Sequence, residues 1–271
     1  MKLIIPKLND PRWPFVGMFF IYTTYTILSN DFGRSFLQLF SVVLTIVSAD
    51  YIYNLKFKRL NLLPLSGLIT ALGLSFLVFS SYVWPFIVIG LVASLAKNLI
   101  RLRGQHIFNP NNFGVVFGLT LLGDFVSTNT GRWNNQFLLT LSIVLLGALV
   151  SHRAKRLVLS VSFVLLFLIV AFIRSQLFDQ NLDVLLIPMT GPIFYVYSFF
   201  HITDPITSPV RTRNQLLFAL AIVLADATLR FYEVKFSLFY GLFSVHLTRA
   251  IVIECLTRLH VIPPIGRESR I

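Results

Sequence analysis

Two stretches of this chain concentrate polar side chains against an apolar background. Gly104–Gly114 carries Gln105, His106, Asn109, Asn111 and Asn112, and Phe199–Pro209 carries His201, Thr203, Asp204, Thr207 and Ser208. Asn109-Pro110 and Asp204-Pro205 each read as a helix start, with the polar residue as N-cap and Pro at the first helical position. Capping accounts for Asn109 and Asp204 one at a time, but not for the density of polar groups around them. A carboxylate beside hydroxyls could also hold the edge of a cofactor ring or accept a coupling cation. No metal site is expected, because His106 and His201 lack the spacing and companions of a ligand set. The single Cys255 can form neither an internal disulfide nor a cluster. No phosphate-binding loop, nucleophile elbow or zinc motif is present.

The elements that must position these residues are membrane helices. Of the 271 residues, 56% are apolar and 13% charged, with a mean hydropathy of +0.78. Ordinary soluble domains carry about 25% charged residues, so a soluble enzyme is excluded. The apolar runs are long and continuous, which argues against a transmembrane barrel. The net charge of +12 sits between apolar runs, so it reads as membrane topology and not as nucleic-acid binding. The N-terminal segment lacks the cleavage pattern of a signal peptide.

Apolar runs fall at 13–30, 35–54, 62–80, 82–99, 107–122, 136–151, 157–174, 184–202, 214–230 and 236–258. The run at 107–122 opens on Asn residues and holds Gly114 and Gly118, as a half-spanning helix packed inside protein would. With ten crossings and the N-terminus inside, seventeen Lys and Arg lie on inner segments and five on outer loops; Arg249 falls within the last run. That asymmetry places both termini in the cytoplasm and the chain in the cytoplasmic (inner) membrane, with the lipid bilayer as its first partner.

Ten crossings invite a division into two five-helix halves, 1–135 and 136–271. Leu62–Leu68 resembles Leu186–Pro192, each with a Pro followed two residues later by a Ser/Thr-Gly pair: Ser66-Gly67 and Thr190-Gly191. Gly114 and Gly241 keep nearly the same offset as Gly67 and Gly191. An odd number of crossings per half makes the halves inverted copies, with discontinuous helices meeting near the midplane. Ser66-Gly67 and Thr190-Gly191 are the expected breaks. The expected fold is therefore an all-α polytopic membrane protein of two inverted five-helix repeats with re-entrant or broken helices.

Phe108-Asn109-Pro110 before a glycine-containing helix, followed by Thr203-Asp204-Pro205-Ile206-Thr207-Ser208, resembles the membrane subunits of the Rnf D-subunit / Nqr B-subunit family. The resemblance extends to Ser66-Gly67, Thr190-Gly191 and the basic end of the second span, and covers roughly residues 35–260. It implies a urea-channel-like fold of ten helices and a role in a flavin-dependent, ion-translocating electron-transport complex. The implied partners are other complex subunits and a quinone, and the implied cofactors FMN or riboflavin. The family attaches FMN to a Thr in the outer loop after its Phe-Asn-Pro helix, which here implies Thr130, with Asp124 and Ser127 at the matching spacing. In place of that motif's small residues this chain has Phe125, Thr128 and Asn129, so a plain polar loop is the competing reading. The cofactor-facing residues the resemblance implies are Ser66, Gly67, Phe108, Asn109, Pro110, Thr190, Gly191, Thr203, Asp204, Pro205 and Thr207.

Two other functions fit the same residues. One is a small-solute channel or transporter of the urea-channel-like fold. The other is a membrane protein of a biosynthetic pathway that uses the fold without a flavin. Phe108, Phe113, Phe199 and Phe200 could stack on an isoalloxazine ring, although with 27 Phe in the chain lipid-facing packing is the simpler account. Asp226 and Arg230, and Glu254 and Arg258, are spaced for i,i+4 ion pairs. His246 and Arg249 lie within the last run, where charge is either functional or paired.

Overall fold

The computed structural model describes residues 4–7, 10, 12–28, 35–128 and 137–259. Its elements are helical apart from four two-residue strands. Among the described residues, four helices are long and apolar enough to cross a membrane: α2 (Phe36–Phe57), α7 (Leu157–Phe178), α10 (Thr212–Phe231) and α11 (Ser237–Arg258). A bent pair, Leu182–Thr190 with Pro192–His201, makes a fifth if taken as one broken span. Shorter apolar helices are α1 (Trp13–Leu28), α3 (Leu65–Leu77), α4 (Trp84–Leu99) and α6 (Phe137–Arg153), and α5 runs Pro110–Leu121.

The solvent these helices fit is lipid, and their burial pattern says so. Along α7 the buried residues are Leu159, Ser160, Phe163, Phe167, Ala171 and Arg174, a stripe at helical spacing that includes two polar groups. Its outward face carries Leu165, Ile169, Phe172 and Ile173. Along α10, Gln215 and Asp226 point inward while Leu216, Leu217, Leu220 and Leu224 point out. Along α2, Gln38 and Asp50 are buried and Phe40, Leu44 and Ile52 exposed. A water-soluble helix shows the reverse arrangement.

The chain divides into two compact units: Met1–Ile100 with Pro110–Arg132, and Arg101–Asn109 with Trp133–Ile271. The segment Arg101–Asn109 thus belongs with the second unit, although it precedes α5 in sequence. In the first unit α2 packs on α3 and α4, α4 on α5, and α1 on α3. Gly90 of α4 faces Val42 and Ile46 of α2, where a Cβ would lie 3.2 Å from each side chain. A small residue at that contact lets the two backbones approach. Strand β1 (Val78–Phe79) pairs antiparallel with β4 (Ser127–Thr128) and ties down the chain after α5.

At the end of α2 the first unit buries a carboxylate. Asp50 is 3% exposed and accepts from Ser94 Oγ at 2.6 Å, Lys97 Nζ at 2.6 Å and Asn98 Nδ2 at 2.7 Å. Ser94, Lys97 and Asn98 share one face of α4 at i, i+3, i+4. Lys97 also donates to Ser66 Oγ at 2.9 Å, which joins α3 to the same cluster. Ser66-Gly67 was the expected break of its span, but it lies in the first turn of a continuous helix that starts at Leu65, behind Pro64. The irregular backbone precedes the pair, because Pro64 ends the preceding segment.

In the second unit α10 packs on α7 and α11, and α6 packs on the broken segment. That segment comprises α8 (Leu182–Leu186), a 3₁₀ turn at Ile187–Thr190, α9 (Pro192–Val196) and a π-helical turn at Tyr197–His201. The 70° bend falls at Thr190-Gly191, between Pro188 and Pro192. Thr190 is exposed and donates to Ile187 O at 2.7 Å, and Gly191 precedes Pro192 at the first position of α9.

Removing Asp50 tests this arrangement. Asp50→Leu should destabilise the protein by about 2–4 kcal/mol, because the half-buried Lys97 ammonium loses its counter-charge and the Ser94 and Asn98 donors lose their acceptor. Asp50→Leu combined with Lys97→Leu should recover most of that loss. The comparison is made by unfolding in detergent; equal damage from the single and double variants would reject the pairing account.

Candidate functional site

The second unit holds a polar cluster built from three elements. The first is a hairpin, β2 (Arg101–Leu102) with β3 (Gln105–His106), joined by Arg103 and Gly104. Both turn residues have positive φ, 52° and 80°, as a two-residue type I′ hairpin requires. Gly104 takes that conformation without strain, and Arg103 is tied to α11 through Thr257 Oγ1 at 2.7 Å. The turn geometry fixes the register Arg101–His106 and with it the position of His106.

The second element is the end of the π-helical turn. A π turn leaves backbone carbonyls without their usual partners, and side chains supply them. Phe199 O accepts from Ser151 Oγ at 3.0 Å and from Thr203 Oγ1. His201 O accepts from Asn109 Nδ2 at 3.1 Å. On α6, Gly147 lets the helix lie against this turn; a Cβ there would stand 2.6 Å from Phe199 Cβ.

The third element is the Asp204–Ser208 segment. Asp204-Pro205 was expected to open a helix, but it opens a single hydrogen-bonded turn, and α10 starts only at Thr212. Asp204 Oδ1 accepts from Ile206 N at 3.2 Å, and Ser208 N donates to Asp204 O at 2.9 Å. Pro209 interrupts the turn before it can propagate. Arg156 clamps it, donating from Nε to Ser208 Oγ at 2.7 Å and from Nη2 to Pro205 O at 3.3 Å. Arg249 donates to Thr207 O. Gln215 Nε2 reaches Lys155 O and Val210 O, both at 2.8 Å, and its Oε1 accepts from Leu159 N at 3.0 Å.

These elements converge on Asp204. Its Oδ2 accepts from His106 Nε2 at 3.3 Å and from Thr207 Oγ1 at 3.1 Å. Burial alone would raise this carboxyl. The His106, Ile206 and Thr207 donors outweigh burial and hold it below the ordinary carboxylate value. Next to it Phe108 stacks on Phe243 with ring centroids 4.7 Å apart and planes 9° from parallel.

Two imidazoles complete the cluster. His201 is 1% exposed and His246 2% exposed, and all four ring nitrogens lack a hydrogen-bond partner among the described residues. His201 lies between the rings of Tyr197 and Phe239, and His246 stacks on Phe218 at 5.6 Å. Asp204 acts electrostatically on both. Nothing in the one-dimensional pattern marked His246 as a neighbour of the Thr203–Ser208 motif, since 42 residues separate His246 from Asp204. Gln215 and Arg156 were equally silent; both are polar residues at span ends, a place where Lys, Arg and Gln are common.

Phe108, Asn109, Thr203, Asp204, Pro205 and Thr207 are thus brought together in the second unit, with His106, His201 and His246. Thr190 and Gly191 sit at the bend of the same unit. Ser66, Gly67, Pro110, Asp124 and Ser127 belong to the first unit. There Asp124 is exposed, and Ser127 lies in β4 opposite Phe79. Between them Phe125 packs edge-on against Tyr82 at 5.8 Å and Trp84 at 5.2 Å. Thr130 lies outside the described residues. Among the described residues no group of three or more His, Cys, Asp or Glu could hold a metal ion.

Asp204→Asn separates a structural turn from a functional carboxylate. Asn keeps the Ile206 contact, so the fold should survive with a loss of about 1–2 kcal/mol from the weakened charge-assisted bonds. The wild-type carboxyl contributes stability above the ordinary carboxylate pKa and loses it as pH falls through its lowered folded value. The variant's acid-unfolding limb should therefore be shallower than wild type between about pH 4 and lower values. Parallel acid limbs in the two proteins would show that the carboxylate is not held by these donors.

No protein-family model matches this chain, and no curated protein sequence matches it.

Proposed function

We propose that this protein is a membrane subunit, or a stand-alone relative, of a flavin-dependent ion-translocating electron-transport system of the Rnf and Nqr type. The observation that carries the reading is the pair of buried imidazoles with four unpartnered ring nitrogens in the unit that holds Asp204. A buried polar atom without a partner costs about 1–3 kcal/mol, and in a lipid-solvated protein no bulk water relieves it. A ligand presenting both donors and acceptors relieves it, and the edge of an isoalloxazine or a quinone does so. His201 and His246 would hold that edge, with the Asp204 carboxylate as the fixed negative charge of the same cluster. The bound group would supply the electron transfer itself.

Stacking is the part of the flavin reading that the residues do not favour. Phe108 already has one face against Phe243, and Phe199 is buried, so neither offers a free platform. The chemistry here is recognition of a ring edge. Covalent FMN at Thr130 remains a separate proposal. It rests on the spacing Asp124, Ser127, Thr130 and on the family resemblance.

Two further features support the reading of inverted five-helix halves. The packing of α2 on α4, α4 on α5 and α1 on α3 in the first unit has counterparts in α7 on α10, α10 on α11 and α6 on α9 in the second. Each unit also holds helices too short to span alone, α3 and α5 in the first and α8 and α9 in the second. With the charge asymmetry, these features support the reading of ten crossings of the cytoplasmic membrane with both termini inside.

Purified protein co-expressed with a flavin transferase should carry flavin absorbance. His201→Phe should keep or raise thermal stability, since an apolar ring replaces an unpaired polar one, and should lose noncovalent flavin or quinone binding. Thr130→Val should abolish fluorescence on a denaturing gel without unfolding the protein. A bare chain mass in wild type would reject covalent FMN. A colourless protein that carries a small solute into liposomes would replace the redox reading with the channel reading. Reporters fused to either terminus should be active only in the cytoplasm; a C-terminal reporter active outside it would reject the ten-crossing arrangement.

A further inference from the structure

In the second unit, away from the Asp204 cluster, a narrow cleft is lined by Phe167, Ala171 and Arg174 of α7, Leu185 of α8, and Asp226 and Arg230 of α10. Two guanidiniums and one carboxylate share it. Asp226 is fully engaged: it accepts from Arg230 Nη2 at 2.9 Å and 3.0 Å, and from Ser237 Oγ at 2.6 Å. Arg230 is further held over the Phe167 ring at 5.5 Å. Arg174 is the member left over. It is 8% exposed, lines the cleft, and its Nε has no hydrogen-bond partner among the described residues. Among the described residues no carboxylate forms an ion pair with it, because Asp226 is taken by Arg230 and Ser237.

A buried guanidinium is retained only when its charge and its N–H donors are met. What is missing is a negative charge and an acceptor for Nε, on a group that can enter a narrow cleft by its oxygens alone. The planar guanidinium fork matches phosphoryl oxygens. The surroundings are apolar on the outward face of α7, where Phe172 and Ile173 are exposed next to Arg174. An acyl chain can therefore lie along the helix while its headgroup reaches inward.

We propose that the Arg174 cleft binds a phosphoryl group, supplied by an anionic lipid headgroup or by free phosphate. The assignment stands apart from the redox reading, because it uses none of the Asp204-cluster residues. The two arginines lie towards the C-terminal ends of α7 and α10, opposite the basic Arg153–Arg156 end of α7. If that basic end is cytoplasmic, the lipid belongs to the outer leaflet.

The test uses the full chain in detergent, with dioleoyl phosphatidylglycerol, inorganic phosphate and dioleoylglycerol as separate probes. Arg174→Gln and Arg174→Met each remove the charge; Arg230 is left intact so that Asp226 keeps its partner. Without added probe, both variants should be at least as stable as wild type, since an unpaired buried charge is gone. Phosphatidylglycerol should raise the wild-type melting temperature, as any ligand of the native state does. Native mass spectrometry should show it binding the variants at least roughly tenfold more weakly. A response to phosphatidylglycerol alone identifies a lipid site, and an Arg174-dependent response to phosphate identifies a free-anion site. Equal binding of phosphatidylglycerol and phosphate by wild type and both variants overturns the proposal. So does an Arg174-dependent response to the uncharged dioleoylglycerol as strong as that to phosphatidylglycerol.

Discussion

Charge buried inside a lipid-solvated protein has to be balanced by the protein itself. The desolvation cost of each ion is several kcal/mol even after relaxation, and surrounding hydrocarbon offers nothing in return. Both units are organised by this constraint. In the first, Asp50 draws Ser94, Lys97 and Asn98 of α4 against α2 and, through Lys97, the start of α3. In the second, Asp226 of α10 holds Arg230 one turn along and Ser237 at the start of α11. Each carboxylate fixes rotation and register of the helices around it. Apolar packing alone does this weakly in a membrane, because lipid tails compete for the same surfaces.

The same constraint explains where the backbone is irregular. A 70° bend and a π turn in one segment expose carbonyls that water cannot reach. Ser151, Thr203 and Asn109 supply donors to two of them, at Phe199 and His201. The Thr203–Ser208 motif is thus partly a device for keeping an irregular segment satisfied. Arg156 and Gln215 extend it to the starts of α7 and α10. The polar density that drew attention to the motif has this structural component, and any ligand-binding role must be carried by groups it leaves over.

Span positions were legible because a continuous apolar run of membrane length has few alternatives. The runs at 157–174, 214–230 and 236–258 correspond to α7, α10 and α11 within a few residues. The short helix α5 was also foreshadowed, by the Asn109–Asn112 cluster. The Asp226–Arg230 and Glu254–Arg258 pairs form as their i,i+4 spacing requires. What stayed hidden depends on tertiary contact. Asp204-Pro205 has the signature of a helix start, yet Arg156 and Ser208 hold it as a turn and Pro209 stops its growth. Nothing local marks Asp50 as the centre of a buried cluster, since its partners lie 44 to 48 residues away. Ser94, Lys97 and Asn98 do share a helical face in the sequence, and that polar stripe was the available clue to a buried acid opposite.

The two units differ in how completely they satisfy their ionisable side chains. Among the described residues, the buried ionisable side chains with unpartnered nitrogens are Arg174, His201 and His246, all in the second unit. In the first, Asp50 is surrounded by donors. A wholly structural ion cluster has every reason to be closed, because each open position lowers stability without return. Open positions persist where something other than the chain fills them. Had the second unit been only a scaffold, Phe in place of His201 and Met in place of Arg174 would serve its packing better. That asymmetry is the physical ground on which both ligand proposals stand: among the described residues, the first unit has no buried ionisable side chain with an unpartnered nitrogen.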